Sequence, residues 1–160
     1  MRILTSLTAL LLAVSIQAHA APGAVEVKSI AEVEVEVVDS KGNKTLKRQP
    51  VVKAVPGTEV IYTTTYKNLI AKPVGNIVIN NPVPNDTAYK SGSATGANTD
   101  ITFSIDGGKT FATPDKLTVK GKDGKERPAQ ASEYTHIRWA HKGELPAGKS
   151  GEVSFRAAIK

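Results

Sequence analysis

The sequence predicts an all-β chain, an antiparallel sandwich or barrel of about seven to nine strands, on three grounds. Composition comes first: residues 21–160 contain 15 Val, 9 Ile and 13 Thr, against 4 Leu and no Met. Val, Ile and Thr are stiff at χ1 and fit a pleated surface, whereas helices favour Leu, Met and Ala. Alternation is the second ground, and Glu32-Val33-Glu34-Val35-Glu36-Val37 shows it most plainly, with valines on one face and glutamates on the other. The third is punctuation: short runs are spaced by Gly, Pro, Asn and Asp clusters, and no long 3.6-residue period with caps intervenes.

Taken in order, residues 1–20 read as a secretory signal peptide. Arg2 supplies the positive n-region, Ile3 to Ile16 is mostly apolar, and Ala18-His19-Ala20 is a small-x-small cleavage site. The remaining 21–160 segment has the size of one domain. After the Glu-Val alternation, Val60, Tyr62, Thr64 and Tyr66 share one face of a second strand. Gly75 to Asn80 forms a third, stopped by Asn81-Pro82-Val83-Pro84. Thr87 to Ser91 and Ile101 to Ile105 follow, and Asp106-Gly107-Gly108 turns the chain back. Leu117-Thr118-Val119 leads into the turn Gly121-Lys122-Asp123-Gly124. Tyr134 to Ala140 and Glu152 to Ile159 form a last pair, the latter with Val153, Phe155, Ala157 and Ile159 on one face. Trp139 alternates with Ile137 and Thr135, which marks it as a core residue.

Charge and cysteine usage narrow the classes of function. The 21 Lys+Arg and 15 Asp+Glu give +6, or +5 once Arg2 is removed with the leader. That sign suits anionic surfaces and also serves solubility; export makes nucleic acid an unexpected partner. There is no cysteine, which excludes disulfides, thiol chemistry and a lipoprotein anchor. No apolar run after Ala20 approaches the length of a membrane span.

Several motifs resemble chemistry without its context. Gly143-Glu144-Leu145-Pro146-Ala147-Gly148-Lys149-Ser150 fits the phosphate-binding P-loop, but that motif needs a helix after its Ser. Here Val153, Phe155, Ala157 and Ile159 alternate as a strand. Ser104-Ile105-Asp106-Gly107-Gly108-Lys109-Thr110-Phe111 resembles the Asp-box, a hairpin whose Asp and hydroxyl groups bond the turn backbone. His136 and His141 point to opposite faces of one strand and cannot share a metal without a bend. Glu32, Glu34 and Glu36 sit about 7 Å apart, too spread for a cation site. They are expected to form a charged edge strand, a candidate partner edge, facing Lys44, Lys47 or Lys53. Lys120, Lys122, Lys125 and Arg127 cluster about a turn as a candidate contact for an anionic partner. No catalytic, cofactor-binding or metal-ligating set is indicated.

From Val55-Pro56-Gly57-Thr58 through Tyr62-Thr63-Thr64-Thr65-Tyr66-Lys67-Asn68 the chain resembles the bacterial conserved-repeat domain, domain of unknown function eleven. That family opens on a Pro-Gly turn and a Tyr-Thr-x-Thr-x-x-Asn strand. Further landmarks follow in order: Val74 to Pro84, with Asn81 where Asp is usual; Thr87 to Ala94; then Ile137-Arg138-Trp139 with Leu145 to Gly151. The resemblance covers roughly residues 50–160 and implies an immunoglobulin-like antiparallel β-sandwich, exported and non-enzymatic. The expectation is a periplasmic or secreted domain that binds a protein or polysaccharide of the envelope, self-association included. The alternative is an accessory module for carbohydrate or polyanion in a surface polymer system.

Overall fold

Strand accounts for 54% of the protein and helix for 4%, so the all-β expectation holds. The computed structural model describes residues 17–19 and 23–160, and the rest of the expected signal peptide lies outside them. In chain order the strands are β1 (Gln17–His19), β2 (Val25–Val38), β3 (Lys44–Pro50), β4 (Glu59–Asn68), β5 (Val74–Gly75), β6 (Val78–Pro82) and β7 (Thr87–Tyr89). Then come β8 (Thr95–Gly96), β9 (Thr99–Ser104), β10 (Thr118–Lys120), β11 (Glu126–Pro128), β12 (His136–His141), β13 (Glu144–Leu145) and β14 (Ser150–Ile159). Two single 3-10 turns, Pro114–Lys116 and Ala131–Glu133, are the helical elements among the described residues.

Two antiparallel sheets dominate. One runs β3-β2-β4-β14-β7, with β8 also on β14; the other runs β1-β6-β12-β9. Two small ladders, β10-β11 and β5-β13, sit outside them. The segment count exceeds the sequence expectation because β1, β3, β8, β11 and β13 lie outside the expected strands, and because one expected strand, Gly75 to Asn80, divides where the backbone changes partner. Asn76 adopts φ 54°, a left-handed conformation that Asn tolerates better than most residues. Before it, β5 pairs with β13; after it, β6 pairs with β12.

The faces predicted for β4 and β14 are the ones that meet the core. Val60, Tyr66, Val153, Phe155 and Ala157 are buried, and from the opposing sheet so are Ile79, Phe103, Ile137 and Trp139. Contacts between rings hold the sheets face to face, making a β-sandwich. Trp139 of β12 and Phe155 of β14 lie 6.2 Å apart between centroids, and Tyr89 of β7 and Phe103 of β9 lie 5.4 Å apart. Tyr62 stacks on Phe155 at 4.9 Å within its own sheet. Pairs of this kind add about 0.5–1.5 kcal/mol beyond area burial.

Polar groups also cross the interior. Asn81 Nδ2 donates to Thr64 Oγ1 at 2.8 Å, and Thr64 is 2.6 Å from Ser29 Oγ. The Tyr66 hydroxyl meets His141 Nδ1 at 2.9 Å. Buried Asn68 donates to the carbonyls of Lys72 and Leu145 and accepts from the Ile70 amide, which pins the loop after β4 to β13. Gly151 lies directly opposite Tyr66, and a Cβ at Gly151 would overlap the tyrosine ring. The glycine lets the ring lie flat across the strand.

Candidate functional site

Of the surfaces named from sequence, the glutamate strand is the one the structure alters most. Glu32, Glu34 and Glu36 were expected on an edge. They belong to β2, and β3 pairs alongside all three; Glu32 is also opposite Ile61 of β4, so the expectation fails there, whereas Glu34 and Glu36 keep β3 as their one strand neighbour. The outermost strand is β3. The alternation was read correctly, but alternation assigns faces and is silent about neighbours.

The glutamates are engaged in ion pairs. Arg156 donates to both oxygens of Glu34, at 2.9 and 3.0 Å, and to Glu59 at 2.8 Å. Lys90 reaches Glu59 at 2.6 Å, Arg48 lies 3.7 Å from Glu34, and Lys44 lies 2.8 Å from Glu36. The Arg156 hydrogen bonds hold the Glu34 carboxyl below its usual range, as Lys90 and then Arg156 do for Glu59. Both carboxylates in turn push the Arg156 pKa up. Arg156 stands opposite Ile61, which is 1% exposed although it faces outward with the charged residues. The charged lattice thus roofs an apolar residue, as long cationic side chains do when their stems lie on hydrocarbon.

Beyond Glu32, β2 pairs only with β3 in the ladder, so residues 33–38 and 44–50 form a two-stranded arm that continues past the end of β4. Every residue of β3 is exposed. Leu46, Val38 and Ile30 are large exposed apolar side chains on the face of the hairpin that carries the glutamates. An isolated two-stranded ribbon is marginal in water, and its charged sequence guards an otherwise open edge.

The basic turn is brought together only in part. Lys120, Lys122 and Lys125 are exposed at the β10-β11 hairpin, but Arg127 forks onto Glu133 with contacts of 2.7 and 2.8 Å. That pair, with the Gln130 amide, lowers the Glu133 pKa to about 2. Arg127 therefore braces the Ala131–Glu133 turn and is a structural cation.

The Asp-box hairpin closes as its sequence suggests. Asp106 accepts from the amides of Lys109 and Thr110 at 3.0 Å and from the Thr110 hydroxyl at 2.6 Å; Ser104 Oγ donates to Asp106 at 2.7 Å. These bonds, that from the Thr110 hydroxyl foremost, hold the Asp106 carboxyl far below its usual range. The Phe111 ring lies 3.6 Å beneath the Arg138 guanidinium, which also donates to Asn80 at 2.8 Å. His136 is half-buried against Gly108, whose φ of 84° suits glycine. Burial lowers its pKa, partly offset by Asp106.

The remaining motifs fall into structural places. Ser150 opens β14, so no helix follows the P-loop-like string. Trp139 is fully buried. His136 and His141 lie on opposite faces, and no group of three or more metal-binding side chains forms among the described residues. No helix among them is long and apolar enough to cross a membrane. Sequence reasoning missed β3 as a strand and Arg156 as the centre of the charged lattice; alternation through Glu152 to Ile159 placed Arg156 outward but could not name its partners. No family model, curated protein or solved structure matches this chain.

Proposed function

We propose that this is an exported, immunoglobulin-like domain without enzymatic activity that works by binding or structural association at the bacterial envelope. The projecting β2-β3 arm carries the reading: an exposed ribbon with an open outer strand is a surface suited to a partner. Ser104 and Asp106 are committed to a turn and His141 to Tyr66. The landmarks of the conserved-repeat resemblance also come into contact, since Asn68 bonds Leu145 and exchanges backbone hydrogen bonds with Gly148 and Lys149. Cleavage after Ala20 would take β1 with it and leave β6 as the outer strand of its sheet.

The test is in-cell cross-linking of the exported protein, with intact mass measured on the same sample. A mass starting at Ala21 and a reproducible envelope partner or homo-oligomer are expected; a retained leader, or only monomer, would overturn the reading. The exposed lysines of the β10-β11 turn favour a second reading, contact with an acidic polysaccharide. In that case Lys122→Gln with Lys125→Gln would elute earlier in salt from an acidic-polysaccharide column.

A further inference from the structure

The backbone of β3 shows which strand its open edge would accept. The Val51 amide donates to the Ala31 carbonyl, and in this ladder residue 51 stands opposite 31, 49 opposite 33, and 47 opposite 35. In an antiparallel ladder, directly opposed pairs alternate between bonded and non-bonded. Thr45, Lys47, Gln49 and Val51 therefore spend their backbone groups on β2. Lys44, Leu46 and Arg48 direct theirs away from β2, to the outer edge. Pro50 has the same parity, so its missing N–H costs the β2 ladder nothing and ends the accepting edge at that side.

Side chains follow the same parity. Lys44, Leu46 and Arg48 share the face on which β2 presents Glu32, Glu34 and Glu36. β3 carries three cations and no acid, while the strand already seated on its other side alternates glutamate with valine. A second copy of β3 would set cations against cations and be repelled.

We propose that the outer edge of β3 accepts, by antiparallel strand addition, an extended segment of a partner protein with the pattern acidic-x-apolar-x-acidic. The acids stand opposite Arg48 and Lys44, whose side chains remain 46% and 67% exposed beside their present partners Glu34 and Glu36, and the apolar residue covers Leu46, which is 67% exposed. The inference rests on the association reading above and names the partner chemistry and the strand that recognises it. Main-chain bonds supply affinity, and charge supplies selection.

The test uses a fluorescein-labelled nonapeptide, Thr-Thr-Glu-Thr-Leu-Thr-Glu-Thr-Thr, and its Glu-to-Lys analogue, read by anisotropy with the purified protein. The acidic peptide should bind, weaken as salt rises, and slow hydrogen exchange at the amides of Leu46 and Arg48. Leu46→Pro deletes an outward N–H without touching the β2 ladder and should cost about tenfold in affinity. If that variant loses its thermal transition, Lys44→Gln with Arg48→Gln carries the test and should erase the salt dependence and the preference for Glu. Equal binding of the two peptides, undiminished binding by the variants, or protection at other amides alone would overturn the inference. A natural partner captured equally by Leu46→Pro would overturn this edge and leave the association reading standing. Loss of all capture by the unaltered protein would instead remove that reading, whatever the peptide does.

Discussion

Gly151→Ala should destabilise the fold because of Tyr66, and the sign should reverse when the ring is removed. Gly151 lies within β14 at an ordinary backbone φ, so alanine meets no conformational penalty there. In a strand interior that change is by itself favourable by about 0.5–1 kcal/mol, since glycine loses more chain entropy on folding. Against it stands the Tyr66 ring, whose Cζ, Oη and Cε2 lie where the new Cβ must go. The ring is 1% exposed and cannot swing into solvent freely. Overpacking of this kind costs about 1–3 kcal/mol. Displacing the hydroxyl also weakens its contact with His141 Nδ1, at 2.9 Å, by about 0.5–1.5 kcal/mol. The net loss is about 2 kcal/mol, a large share of the 5–15 kcal/mol typical of a domain. Tyr66→Leu removes the three offending atoms, because a leucine side chain ends at Cδ. In that background Gly151→Ala should stabilise by about 0.5–1 kcal/mol. Urea unfolding of the four proteins in the cycle measures the coupling, provided the m-value stays constant. An equal loss from Gly151→Ala in both backgrounds would refute the argument.

Stability should fall as pH is lowered from 7 to 2. His136 has a lowered pKa in the fold, so the unfolded chain takes up its proton first and stability declines as pH drops below about 6.5. Glu34, Glu59, Asp106 and Glu133 are lowered too; their contribution is complete above the unfolded values near about 4 and fades as pH falls through the folded ones, about 2 for Glu133. A urea midpoint independent of pH over this interval would contradict the assignment. Asp106→Ala should raise hydrogen exchange at the amides of Lys109 and Thr110, which it holds, while those of β12 stay protected; unchanged exchange at both loop amides would show that the turn closes without its carboxylate.

Much of this molecule is written locally in the chain. Period-two alternation fixed which side of β4 and β14 faces inward, because successive side chains of a strand point to opposite faces whatever lies beside it. Trp139 was placed in the core on that ground, and the Ser104-to-Phe111 string carried its own turn chemistry in bonds spanning two to four residues. Neighbours were another matter. Backbone hydrogen bonds are the same for nearly every residue, so nothing in Glu32 to Val37 says whether one strand or two will lie alongside. Only the folded sheet puts β3 outside β2, sets Gly151 beneath Tyr66, and brings Arg156 to Glu34 across 122 residues of sequence. The faces of the alternating strands β2, β4, β12 and β14 were therefore legible in the sequence, whereas β3 and its open edge were decided by long-range pairing, whose register rests on the packing of the whole sandwich.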